Sequence, residues 1–166
     1  MALSTNPFTV LSYVSGPALL TNATALMLLS TSNRFARAID RSRSLVKYIE
    51  GIGGPRSKEA AAEELIMSRD RVRLIARALS RFYLATGFFA LATMISIAGA
   101  VLGEYIGGLG FEAVIAFAVL GGLIAFTALV SGSISLMLES RLATRSVNME
   151  AKEAMATIEK ALRPEV

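Results

Sequence analysis

Residues 82 to 102 form a run of 21 positions without a charge, and residues 113 to 138 form a second, longer one. At about 1.5 Å of rise per residue each exceeds the roughly 30 Å hydrocarbon thickness of a bilayer, so both predict transmembrane helices. The second is long enough to tilt or to project past one interface. A third stretch, 8 to 31, is diluted by Pro17, Asn22 and several hydroxyls, and still predicts a span. A cleaved signal peptide is the competing reading of that stretch. Such peptides begin with a basic region, whereas the first Lys or Arg here is Arg34, after the apolar run.

Outside these runs the apolar residues recur at helical spacing. Phe35, Ile39, Val46 and Ile49 form one stripe, Leu65, Val72, Ile75 and Leu79 a second, and Val147, Ala151, Ala154, Ile158 and Leu162 a third. Gly51 to Pro55 (GIGGP) interrupts the pattern once. The spacing predicts that each span runs without a break into a charged amphipathic helix, and that the three stripes pack together with coiled-coil-like geometry. The expected fold is an all-α integral membrane protein. Its three transmembrane helices continue into a cytoplasmic bundle made of a long helical hairpin and a C-terminal helix. The segments are 1–31 (leader and first span), 32–81 (basic hairpin with its turn at 51–57), 82–138 (second and third spans with a short outer loop, 103–110) and 139–166 (C-terminal helix).

Charge orients this arrangement. Of 17 Lys and Arg, twelve lie in 32–81 and five in 139–166, while the leader and the 103–110 loop hold none. Glu104 within that loop and Glu112 just after it are the charges near the outer face. The positive-inside rule then puts the N-terminus outside and the C-terminus in the cytoplasm. Hydrophobic residues make up 54% of the chain, too many for an ordinary soluble domain. Cysteine, histidine and tryptophan are absent. That removes disulfides, thiolate or imidazole metal sites and the usual nucleophilic triads, so neither an enzyme nor a cofactor is expected.

Small and polar residues inside the spans suggest where helices meet. Ala118, Gly121, Ala125, Ala128, Gly132 and Ser135 recur at steps of three and four, and Ala92, Ser96 and Gly99 form a shorter stripe of the same kind. Close packing of the second and third spans is the economical consequence, with subunit contacts or a pore wall as alternatives. Asn22 is the most polar side chain near mid-membrane and needs a hydrogen-bond partner, so it is expected to face protein or water. Pro17 is expected to kink the first span by removing a backbone bond. Arg69, Arg73, Arg77 and Arg81 share one helix face and repel one another, so anionic groups should meet them. Pairing Ser32 level with Arg81 would set Asp40 against Arg73 and Glu139 near Arg81. Anionic lipid headgroups at the cytoplasmic face are the other candidate partners. Nucleic acid is not expected, because no recognition motif accompanies the net charge of +4.

The stretch SGPALLTNATALMLLSTSNRFARAIDRSR (15 to 43), with Pro17, an N-R pair at Asn33 and Arg34 and a D-R pair at Asp40 and Arg41, resembles an uncharacterised bacterial membrane family known as domain of unknown function 2721. RVRLIARALSRFYLATGFFAL (71 to 91) looks like the family's second block, and the third span with its basic exit also fits. The resemblance covers about residues 10 to 145. It implies a bacterial inner-membrane location and three spans, and carries no activity with it. The resulting functional expectation is a non-enzymatic protein that acts by helix–helix association, as a homo-oligomer or as an accessory subunit of a membrane complex. The alternative is an oligomeric ion channel lined by polar residues such as Asn22, with Glu104 or Glu112 ringing its outer mouth.

Overall fold

The structure is a computed structural model and describes residues 7–51, 58–102, 105 and 108–162. Three helices account for nearly all of them: α1 (Pro7–Glu50), α2 (Lys58–Leu102) and α3 (Gly108–Leu162), of 44, 45 and 55 residues. No strand occurs among the described residues. Each helix passes from its apolar run into its charged stretch without interruption. At the α1 junction this holds even through Ser30, Thr31, Ser32 and Asn33, and Pro17 lies inside α1 without ending it. The α1 helix closes where the Gly51 N–H donates to the Lys47 carbonyl at 2.9 Å, and a Cβ at Gly51 would sit only 2.9 Å from that oxygen. The rest of the predicted glycine turn, 52–57, lies outside the described residues, as does Glu104.

Two of the helices contain stretches long and apolar enough to cross a membrane, Ala61–Gly99 and Gly108–Met149. Only 11% of the most apolar window of α3 is buried within the chain, whereas a core helix of a soluble protein would be mostly buried. The α1 helix is less apolar than these two, because hydroxyls, Asn22 and Pro17 interrupt its apolar residues.

The chain forms two compact units, and each helix contributes to both. The first comprises Met1–Ser32 and Arg77–Ser133. Its buried positions on α2 are Ala78, Phe82, Ala85, Phe89, Ala92 and Gly99, and on α3 Ala125, Ala128 and Gly132. Both series advance in alternating steps of three and four, or the seven that joins them, which is a heptad repeat. Small side chains dominate these seams, so the helices approach closely, with Phe88 and Leu129 packed against the cluster of Ala85, Phe89, Ala125 and Ala128. At Gly132 the approach is closest: an added Cβ would lie 2.7 Å from Phe82 Cε1 and 3.0 Å from its Cδ1. At Gly121 the nearest atom, Phe88 Cδ1, is 3.8 Å away, an ordinary contact.

The second unit comprises Asn33–Ala76 and Ile134–Val166. Its buried seam on α2 runs through Ala61, Glu64, Ser68 and Ile75, on α1 it includes Leu45, and on α3 it includes Ser135, Glu139 and Ser146. This corrects the expected packing. The α3 stripe is not buried: Val147, Ala151, Ala154, Ile158 and Leu162 are all exposed, and so is Val46 on α1. The seam follows the heptad of the apolar runs upstream and downstream, and that phase selects polar residues here.

These contacts separate the glycines by consequence. Gly132→Ala is expected to destabilise the protein by about 1–3 kcal/mol because the Phe82 ring must shift. Gly121→Ala is expected to be neutral or stabilising by up to about 1 kcal/mol through helix propensity. Unfolding of the two purified variants in one detergent, against the parent, checks the difference in sign.

Candidate functional site

Two carboxylates lie in the buried seam of the second unit, and arginines from two helices reach them. Glu139 on α3 is 5% exposed at its side chain; its Oε1 accepts from Arg71 Nε at 3.0 Å and pairs with an Arg71 Nη at 2.9 Å. Arg34 Nη1 stands 3.9 Å from the other oxygen, an ion pair too long for a hydrogen bond. Glu64 on α2, 6% exposed, accepts from Arg41 Nε at 3.0 Å and from an Arg41 Nη. Buried carboxylates are stable only when charge and hydrogen bonds compensate their lost hydration, and here each guanidinium places two donors on one oxygen. The arginines keep partial access to water, so each pair contributes less than a fully buried one. The buried hydroxyls of Ser68 and Ser146 belong to the same unit.

The layer lines two cavities. One, of about 420 Å³, is bordered by Arg34, Arg37, Arg41 and Arg71, with Glu139, two serines and the methyls of Ala38 and Ala143. The other, of about 250 Å³, is bordered by Arg41, Glu64, Ser68, Arg71, Ser146 and Val147. Arg37 donates its Nε to the backbone carbonyl of Asn33 at 3.3 Å instead of to a carboxylate.

The expected ion-pair register does not form. Arg73 pairs with Asp70 on its own helix at 3.7 Å, and Asp40 is exposed. One-for-one counting from the Arg41 to Glu64 pair puts Asp40 about two helical turns short of Arg73. Glu139 meets Arg71 and Arg34 instead of Arg81, and Arg81 Nη1 donates to the Ser131 carbonyl at 2.8 Å in the first unit. Of the basic stripe, Arg69, Arg73 and Arg77 are exposed and Arg81 is half-buried. Among the motif positions, Arg34 and Arg41 enter the charged layer, while Asn33 and Asp40 are exposed.

Within the first unit Ala92, Ala125, Ala128 and Gly132 are buried, Gly99 is buried beside Val114, and Ala118, Gly121 and Ser96 are half-buried. Ser135, in the second unit, is buried as well. Asn22 is exposed, and the buried polar residue near it is Thr24, whose hydroxyl donates to the Leu20 and Thr21 carbonyls. Pro17 is half-buried, its carbonyl accepting from Thr21 Oγ1 at 2.8 Å. Glu112 is exposed. Glu64, Ser68 and Arg71 were not singled out from the sequence. Their signal is that they continue, at steps of four and three, the spacing of Ile75, Ala78 and Phe82, so charged residues occupy positions of an otherwise apolar seam.

A three-helix, all-α protein with two strongly apolar helices and an arginine and glutamate layer is the class that this geometry defines. A family model described as protein of unknown function (DUF2721) matches residues 14–149, most of the chain, and the chain belongs to that family. No curated protein and no solved structure matches it.

Charge in this layer is expected to act as a coupled unit. Glu139→Gln and Arg71→Gln are each expected to cost about 1–3 kcal/mol, with the double variant costing clearly less than the sum. A double-mutant cycle on thermal unfolding checks this, and strict additivity would contradict the pairing.

Proposed function

We propose that the chain is a bacterial inner-membrane protein that crosses the bilayer three times, N-terminus outside and C-terminus in the cytoplasm. It acts without catalysis, by associating through its helices with a second copy or with a larger membrane complex. The observation that carries the third crossing is the inverted polarity of α1. In the first unit Thr24 is 0% and Thr31 1% exposed, while Leu19 and Leu26 are 68% and 62% exposed. A helix in water buries its leucines and exposes its threonines. Here the hydroxyls of Thr21, Thr24 and Thr31 are already satisfied by carbonyls of their own helix at 2.7 to 2.9 Å, so they tolerate dry packing. Thr86, Thr93 and Ser96 on α2 do the same. The leucines are then matched to lipid.

Asn22 supports association. It lies on the exposed side of α1 with Ala18, Ala25 and Leu29, and an amide facing hydrocarbon is costly unless another helix or water meets it. The small-residue face of α3 within the first unit is occupied inside the chain, so the outward side of α1 is the contact we favour. The channel reading rests on the same residue. It differs in requiring water, with exposed Glu112 near the outer mouth, where a carboxylate ring would favour cations.

The absence of cysteine makes topology directly measurable. Leu109→Cys is expected to react with an impermeant maleimide on intact cells, and Ser44→Cys only after permeabilisation. Reaction of Ser44→Cys from outside would overturn the orientation. For association, Asn22→Cys is expected to cross-link between copies or to a partner in membranes, and Asn22→Leu to weaken the assembly by about 1–2 kcal/mol. A selective current in proteoliposomes that Glu112→Gln abolishes would favour the channel.

A further inference from the structure

We propose that the larger cavity of the second unit is a binding site for a phosphate-bearing anion. Arg34 and Arg41 on α1 and Arg71 on α2 come together with Arg37 around about 420 Å³. Across the two adjoining cavities four guanidinium groups face two carboxylates, Glu64 and Glu139. Both carboxylates are engaged by arginine, so among the described residues the cavity walls carry more positive than negative charge.

Donor geometry favours an oxyanion. Among the described residues, Arg71 commits its Nε and one Nη to Glu139 and has donors left over, Arg34 is held by Glu139 at 3.9 Å, and Arg37 is held by a backbone carbonyl. Guanidinium forks match phosphate oxygens bidentately, and the Ser68 and Ser140 hydroxyls on the cavity wall can donate as well. Space favours it too. Ala38 and Ala143 are the wall residues whose small size leaves the volume open, and a larger side chain at either would fill it without altering any charge.

The shared chemistry is a phosphate group, and it has two sources. In sequence Arg34 follows closely on the apolar run of α1 and Glu139 directly follows that of α3, so an anionic lipid headgroup is one source. A soluble phosphate compound is the other. The anion site stands on the second unit alone; only its lipid source rests on the chain spanning a bilayer.

The test uses the full chain in nanodiscs of phosphatidylcholine and reads Tm. One arm adds inorganic phosphate against sodium chloride of equal ionic strength; the other replaces part of the lipid with phosphatidylglycerol and omits phosphate. A saturable rise in Tm in the first arm identifies a soluble phosphate, and a rise in the second identifies a headgroup. Arg37→Gln disturbs none of the arginine and glutamate pairs described above, and Ala143→Leu fills the cavity. Either substitution weakening the response at least tenfold supports the site. If Ala143→Leu does not fold, Arg37→Gln still decides. No rise in either arm, or a rise that the folded variants leave unchanged, overturns the proposal.

Discussion

The seven-residue spacing of buried positions is the constraint on which the rest depends. On α2 one series of positions from Ala61 to Gly99, through Glu64, Ser68, Arg71, Ile75, Ala78 and Phe82, is buried or half-buried throughout and keeps alternating steps of three and four. A helix of 3.6 residues per turn drifts only about 20° per heptad against such a series, so a buried phase persists over several turns. In the first unit the buried Phe82, Ala85 and Phe89 of α2 share that phase, with Ala125 and Ala128 of α3 buried in the same unit. In the charged stretch of α2 the phase selects Glu64, Ser68 and Arg71 for the seam and leaves Ile66 outside, whatever their hydropathy.

Two kinds of polarity therefore occupy equivalent positions. In the first unit the seam takes hydroxyls and glycine, which need no partner beyond their own helix and allow close backbone approach. Hydrophobic side chains are free to face outward, an arrangement suited to lipid and poorly suited to water. In the second unit the seam takes full charges, which need specific counter-charges and so tie α1 to α2 and α2 to α3 at named points. Such pairs add little net stability compared with apolar packing of the same volume, but they penalise every register in which a carboxylate loses its arginine. On that account the layer contributes register specificity within the second unit.

How much of this was legible in the chain depended on whether one helix or two were involved. The apolar runs at 82–102 and 113–138, the continuous helices below them and the small-residue periodicity from Ala118 to Ser135 are properties of single segments, and reading along the chain finds them. The resemblance carried by residues 15 to 43 and 71 to 91 agrees with the family match over 14–149. The apolar stripe from Val147 to Leu162 was equally visible, yet it is exposed, because amphipathic spacing states that a face could be buried and not that a partner reaches it.

What the sequence determined by itself was helix, length and polarity, which follow from local spacing and composition, and the family, which follows from the residues matched over 14–149. Tertiary structure decided which carboxylate meets which arginine. Asp40 with Arg73 and Arg41 with Glu64 are both plausible pairings on paper, and they differ by about two helical turns of register. Each pairing joins helices through residues far apart in the chain, Arg41 with Glu64 and Arg71 with Glu139, and spacing along one helix does not state them. A buried carboxylate is stable only where an arginine from a neighbouring helix reaches it, and that is a property of the packed helices together.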